Sequence, residues 1–227
     1  MTMKPKHYKT STLLGVFDVA ATLLSAPVSR GWYNRWGATD EEQKMALPGD
    51  ELVPSPRISY TRAITIHAPP GAIWPWLVQM GQGRGGLYSY DGLENLIGCE
   101  IHSADRMLPE FQHLQPGDHV LFGPAVKKFP GQVVLEVQPG RAILMCALDP
   151  VTRQAVQSAT WVFVLEEQAG GSTRLLVRGR NGYEPTTANQ ILWHILEPIT
   201  FVMERKMLKG IKARVEDRYH QPDVQET

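Results

Sequence analysis

The chain has 227 residues and equal numbers of basic and acidic side chains, so its formal net charge at neutral pH is zero. This length allows one large domain with a sizeable core. The charge balance argues against nucleic acid as a partner, because nucleic-acid-binding proteins present a basic face. The seven histidines form no H-x-x-x-H pair and the two cysteines form no C-x-x-C pair, so no metal site is expected.

The first predicted element is an apolar helix over residues 12–26, within an N-terminal region assigned to residues 1–30. One side of this helix carries a stripe of polar and small residues, namely Ser11, Gly15, Asp18, Thr22 and Ser25. The rest of its surface is apolar. Three interpretations stay open: the helix packs on its own domain, contacts a membrane surface, or is a cleaved signal sequence.

Residues 31–57 are rich in proline, glycine and acidic residues and predict an ordered linker, with a short helix opening at Asp40. Alternating apolar residues from 58 to 66 then predict a half-buried strand. Two short helices follow, over residues 71–80 and 90–97, and a glycine-rich turn separates them.

Five apolar segments separated by turn residues predict an antiparallel meander, over residues 118–122, 132–138, 141–148, 158–166 and 173–181. Its apolar face comprises Val133, Leu135, Val137, Trp161, Phe163, Leu165, Leu175, Val177 and Gly179. The opposite face of the last strand carries Arg174, Arg178 and Arg180, which predicts that this face meets water.

A capping-box pattern at residues 187–190 opens a long helix that can run to about Tyr219. Its apolar stripe comprises Leu192, Leu196, Ile199, Met203, Met207 and Ile211. The inner face of the meander is the large apolar surface on which this stripe can be buried.

Several motifs carry a family resemblance: APP at residues 68–70, WPWLVQMG at 74–81, RGGLYSYD at 84–91, EN at 94–95 and MERKML at 203–208. In these motifs and in the order of its elements, the chain resembles the START-like superfamily, in its bacterial SRPBCC branch. That superfamily includes polyketide cyclases or dehydrases and lipid-transport proteins. The resemblance covers roughly residues 32–218. It implies an α+β helix-grip fold, in which a curved antiparallel sheet wraps around a long C-terminal helix, over residues 58–220, with an N-terminal helical extension.

The resemblance implies binding or transport of a small hydrophobic ligand, lipid-like or polycyclic, in a cavity between the sheet and the C-terminal helix. The expected ligand-binding residues are Trp74, Tyr88, Tyr90, Asn95, His102, Arg106, Trp161, Leu192, Ile199 and Met203. The glycines at 81, 83 and 86 match a dinucleotide fingerprint, but no strand–helix context surrounds them, so no cofactor is expected.

Two alternative functions stay open. One is a cyclase or isomerase that uses a tyrosine and a carboxylate from the segment 88–95, with Tyr90, Asp91 and Glu94 as candidates. Against it, Asp91 can cap a helix and Glu94 can pair with an arginine. The other is a membrane-peripheral partner protein docked through residues 12–26. The cytoplasm is the expected compartment, with or without membrane association. Ligand identity and oligomeric state are left undecided.

Overall fold

The helices and strands follow one another in the order that the sequence predicts. The computed structural model describes residues 8–220, with side chains from residue 12 to residue 219. The helices are α1 (Tyr8–Tyr33), α2 (Asp40–Lys44), α3 (Pro70–Val78), α4 (Asp91–Leu96) and α5 (Thr187–His220). The strands are β1 (Ile58–Ile66), β2 (His119–Leu121), β3 (Gly131–Gln138), β4 (Ala142–Leu148), β5 (Ala155–Glu167) and β6 (Thr173–Asn181).

Within the described residues, the strands form one curved antiparallel sheet in the order β1-β6-β5-β4-β3-β2. Because β1 pairs with β6, backbone hydrogen bonds join the first strand to the last. The register is interrupted between Val134 and Glu136 in β3, and between Cys146 and Ala147 in β4. Such bulges bend a strand and favour a curved sheet.

The inner face of the sheet and α5 together enclose the main core, which includes Ile66, Phe163, Leu165, Leu175, Val177, Leu208 and Ile211. The predicted apolar face of β5 and β6 is therefore confirmed. The prediction for β3 was wrong in part, because Val134 lies in this core whereas Leu135 packs on the opposite side of the sheet. The bulge after Val134 changes the side to which the following residues point.

The outer face of the sheet does not meet water as predicted. The segment 31–57 packs across it, and Arg178 is only 3% exposed. The Arg178 guanidinium donates hydrogen bonds to the carbonyl oxygens of residues 42, 43 and 45 and to Asp50. Apolar residues of both layers form a second core of Leu47, Ala63, Leu144, Val162, Val164 and Leu176. The predicted linker is thus a covering layer, since arginines on a strand can bind the carbonyls of an adjacent segment.

Helix α1 packs on α4 and α5 through the side that carries the polar stripe. Asp18 accepts hydrogen bonds from Tyr90 Oη at 2.8 Å and from Arg205 Nη2 at 3.0 Å. A Cβ atom at Gly15 would lie 3.0 Å from the Tyr90 ring, so only glycine allows this close approach without a shift. Of the predicted stripe, Ser11 lies outside the residues whose side chains are described.

Candidate functional site

The apolar stripe of α5 divides into a covered half and an open half. Met207 and Ile211 are buried in the main core, whereas Leu192 is 49% exposed. Ile199 and Met203 lie between these extremes. The helix is therefore gripped along its second half, and its first half borders an opening.

An open cleft of about 510 Å³ lies beside this first half of α5, next to the start of β1 and the end of β6. We call it the helix–sheet cleft; its lining includes Arg30, Arg57, Ile58, Tyr183, Trp193 and His194. The Tyr183 and Trp193 rings are stacked, with centroids 5.7 Å apart and planes at 23°. Arg30 is held by Glu197, with Nη2 3.0 Å from the carboxylate, while Arg57 is exposed. The cleft thus combines a flat aromatic surface with cationic groups.

A buried polar cluster lies between β1, β5 and α5. We call it the Glu204 cluster, formed by Tyr60, Arg62, Trp161 and Glu204. Tyr60 Oη and Trp161 Nε1 donate to Glu204 Oε1 at 3.0 and 2.7 Å. Arg62 Nη1 donates to Oε2 at 2.5 Å. A carboxylate that accepts from three donors cannot turn without losing bonds, so the cluster is rigid.

Gly179 makes room for this cluster. A Cβ atom there would lie 2.4 Å from the Tyr60 ring, so the ring lies against the backbone of β6. The Arg62 guanidinium stacks over the same ring at 3.9 Å from its centroid. Burial, followed by the charge of Glu204, raises the pKa of Tyr60 well above its ordinary value. Tyr60 therefore stays a hydrogen-bond donor at all physiological pH values.

A second opening, of about 460 Å³, is lined by Gln82, Gly83, Arg84, Glu100 and His102. It contains one predicted site residue, His102, which is exposed. Arg84 is held away from a ligand role by hydrogen bonds to the carbonyls of Val78 and Phe111. The opening shares no lining residue with the helix–sheet cleft.

Four of the predicted site residues hold neighbouring segments together. Tyr88 Oη donates to the Trp76 carbonyl and accepts from Gln79. Tyr90 Oη donates to Asp18, and the Asp91 carboxylate accepts from the backbone N–H and hydroxyl of Ser103. The Asn95 amide exchanges two hydrogen bonds with the backbone of Ile101. The tyrosine and carboxylate side chains of this segment therefore do not converge on one open site.

Glu94 is the unusual carboxyl group of this segment. It is 8% exposed, and its Oε2 has no hydrogen-bond partner among the described residues. Burial, followed by the charge of Asp91, raises the pKa of Glu94 to about 8. The group is therefore largely protonated at neutral pH, which is the state in which a buried carboxyl is least costly.

The other predicted residues fall in different places. Trp74 is half-buried against the main core, and the exposed Arg106 contributes its carbonyl as an acceptor for Gln79. Trp161 belongs to the Glu204 cluster, Leu192 and Ile199 lie on the first half of α5, and Met203 packs against a buried cluster that includes Tyr90 and Phe201. None of these residues lines the helix–sheet cleft. The ten residues are thus distributed over the segment 74–106, the Glu204 cluster and α5.

Sequence reasoning did not single out the Glu204 cluster or the polar lining of the helix–sheet cleft. The sequence did contain a signal for the cluster, because Arg62 lies on the same apolar face of β1 as Tyr60 and Ile64. Glu197 and Glu204 likewise lie seven residues apart on the buried side of α5. Charged residues at core positions of both partners predict a buried ion pair.

Element order and strand order define an α+β helix-grip fold, as the sequence predicted. No known family model matches the chain. No curated protein matches it either.

Several solved structures are similar in fold. The Polyketide_cyc-like protein Cgl2372 from Corynebacterium glutamicum is 15% identical, with 74% of this chain and 97% of that chain covered and a TM-score of 0.39. Protein NE0264 from Nitrosomonas europaea is 13% identical, with 72% and 97% covered and a TM-score of 0.41. Protein MLL2253 from Mesorhizobium loti is 15% identical, with 74% and 100% covered and a TM-score of 0.39.

Proposed function

We propose that this protein binds a small hydrophobic ligand, lipid-like or polycyclic, between the first half of α5 and the sheet. The observation that carries the proposal is the helix–sheet cleft itself. Its volume of about 510 Å³ falls within the range of small-molecule sites, roughly 300–1,000 Å³. It opens where α5 leaves the sheet, which is where a ligand can enter without unfolding the core.

The chemistry of the lining supports a ligand with a flat or extended apolar body. The stacked rings of Tyr183 and Trp193 and the side chain of Ile58 provide apolar contact area. Arg57 has no ion-pair partner among the described side chains, so an acidic group on the ligand is its natural counterion. The favoured ligand class is therefore a hydrophobic molecule with one anionic end.

The cyclase or isomerase alternative has no comparable support. Tyr90 and Asp91 are each bound to other side chains, and Glu94 is buried. A general base must reach the proton that it removes, and none of these groups faces a shared cavity. We therefore propose ligand binding rather than catalysis.

Binding of anilinonaphthalene sulfonate, an apolar anionic dye, tests the proposal by its fluorescence increase. Trp193→Ala and Arg57→Ala are each expected to weaken dye binding by about tenfold, since about 1.4 kcal/mol of contact energy is a factor of ten. The control is Val126→Ser, which removes an exposed apolar side chain outside both the cleft and helix α1 and is expected to leave this binding unchanged. If Trp193→Ala and Arg57→Ala both bind the dye as the parent does, the cleft is not the ligand site.

Ile199→Trp separates the helix–sheet cleft from the α5 stripe predicted from the sequence, because Ile199 does not line the cleft. Dye binding in the cleft is therefore expected to be unchanged, while the thermal transition stays cooperative. Native mass spectrometry of the gently purified protein then identifies the chemical class of any ligand that remains bound. Reduced binding in Ile199→Trp would place the ligand against Ile199 rather than in the helix–sheet cleft.

A further inference from the structure

Helix α1 shows the reverse of the usual arrangement for a surface helix. In most such helices the apolar side packs on the domain and the polar side meets water. Here the polar and small residues Gly15, Asp18 and Thr22 face the domain, and the apolar residues face outward. Between Thr12 and Ser29 the single charged side chain is Asp18, and it is engaged by Tyr90 and Arg205.

The outward side of α1 is almost entirely apolar. Its large exposed side chains are Leu13 at 72%, Phe17 at 70%, Leu24 at 86%, Val28 at 89% and Trp32 at 54%. With the exposed Ala20 between Phe17 and Leu24, these residues recur at three- and four-residue intervals, so they form one continuous stripe along the helix. We call it the outward face. Contiguous apolar surfaces of this kind are rare on proteins that remain fully surrounded by water.

The composition of the outward face distinguishes a lipid bilayer from a protein partner. Protein interfaces carry about one hydrogen bond per 100–200 Å² and a polar rim. The side chains of the outward face from Leu13 to Val28 are all apolar, so this part of the stripe offers a partner no polar group for orientation. Hydrocarbon chains require no such group, and they can cover a purely apolar stripe without burying any unpaired polar group.

The charges around the outward face fit an anionic lipid surface. The sequence before Asp18 contains Lys4, Lys6 and Lys9 and no acidic residue. Basic residues at one end of an apolar helix bind anionic headgroups. At the other end lies Trp32, an aromatic type that is enriched at membrane–water interfaces.

We infer that α1 lies flat on a membrane, with its outward face in the outer part of the hydrocarbon and the domain on the water side. By length and composition, Thr12–Tyr33 could also cross a bilayer, and it is the one such helix among the described residues. Two contacts oppose a crossing. Asp18 is bound to Arg205, and Arg30 is bound to the buried Glu197. A crossing helix would break both ion pairs and place a carboxylate in hydrocarbon.

Flotation of the full chain with vesicles of phosphatidylcholine and phosphatidylglycerol tests this inference. The parent is expected to float with the vesicles and to be released by alkaline extraction, as a surface-bound protein is. Phe17→Ser and Leu24→Ser are each expected to lower the partition coefficient by about tenfold, because each removes a large apolar side chain from the lipid. Both residues are exposed, so the thermal transition is expected to be unchanged, and circular dichroism checks this.

Val126→Ser is the matched control, because Val126 is 90% exposed but lies in the loop before β3. It is expected to partition as the parent does.

Failure of the parent to float, or equal loss in all three variants, would overturn the inference. A parent that dimerises without binding vesicles, and becomes monomeric in Leu24→Ser, would assign the outward face to a second copy instead. Resistance to alkaline extraction would show a crossing helix. Dye binding in the helix–sheet cleft is measured in a separate experiment, so the ligand-binding proposal and the membrane proposal can each be disproved independently.

Discussion

Arg62 in the first strand and Glu204 in the last helix form a buried ion pair, with Nη1 2.5 Å from Oε2. The two side chains are 0% and 6% exposed. Arg62 also donates through Nε to the carbonyl of Tyr33, so one guanidinium joins α1, β1 and α5. Separating these elements would leave a buried charge without its partner, so the ion pair and the bond to Tyr33 hold the three elements together.

Glu204→Ala is expected to lower the free energy of unfolding by about 3–5 kcal/mol, because it leaves the Arg62 charge buried and unpaired. Urea denaturation measures this loss. The control is Glu100→Ala, which removes an exposed ion pair with Lys127 and is expected to cost less than about 1 kcal/mol. Similar losses in the two variants would show that the buried pair has no special role in stability.

Glu94 is expected to make the stability depend on pH. Its pKa rises from the ordinary 4.5 to about 8, so the folded chain holds this proton more tightly than the unfolded chain. The contribution of this bound proton to the free energy of unfolding is complete below about pH 4.5 and is lost as the pH rises to about 8. The slope in that window approaches about 1.4 kcal/mol per pH unit.

Unfolding free energies of the parent and of Glu94→Gln, measured from pH 5 to pH 8, test this dependence. The glutamine variant carries no titrating group at this position, so its curve is expected to be flatter than that of the parent. Glu110→Gln alters an exposed carboxyl and is expected to reproduce the parent curve. Identical slopes for the parent and Glu94→Gln would contradict the raised pKa.

Gly15→Val is expected to loosen α1. A Cβ atom at this position meets the Tyr90 ring at 3.0 Å, so a larger side chain pushes the helix away from α4 and α5. We expect a loss of about 1–3 kcal/mol in thermal or urea unfolding. Gly31→Val is the control within the same helix, because no atom lies within 4 Å of its Cβ position. An equal effect of the two substitutions would argue against close packing at Gly15.

Arg178→Ala is expected to release the covering layer from the outer face of the sheet. The substitution removes the donors to three backbone carbonyls and to Asp50, which costs about 3 kcal/mol or more. Limited proteolysis within residues 40–57 is expected to become faster. Arg141→Ala, at an exposed position, is expected to change neither quantity. Unaltered proteolysis in Arg178→Ala would show that apolar contacts alone hold the layer.

The order of the elements could be predicted from the sequence because the signals that define them are local. Alternation over residues 58–66 predicted β1 as it is found, and glycine and proline turns separated the later strands. The last helix begins at Thr187 as predicted, although the hydroxyl that accepts from Asn189 N–H belongs to Thr186. The residues that begin and end a helix are close to it in the chain, so helix boundaries can be predicted from a single sequence.

The candidate site was predictable only in part. A cavity between the sheet and α5 was expected, and the helix–sheet cleft lies beside α5, but its lining contains Trp193 and His194 rather than the predicted Leu192, Ile199 and Met203. The clustering of Tyr90, Asp91 and Glu94 along the chain suggested a common site, but the structure gives each a different environment. Neighbouring residues on a short helix point in different directions, so proximity in sequence does not bring functional groups together.

The sequence by itself determined the helix-grip architecture, the apolar character of α1 and the neutrality of the chain. Only the tertiary structure decided which side of α1 faces the domain, which face of β6 is covered, and that Arg62 meets Glu204. Each of these outcomes depends on a partner more than a hundred positions away, as in the 2.8 Å bond of Arg174 to Glu42. Hydrophobic periodicity predicts which side of a helix or strand is apolar. Whether that side packs in the core, binds a ligand or contacts lipid depends on the surfaces that remain to cover it.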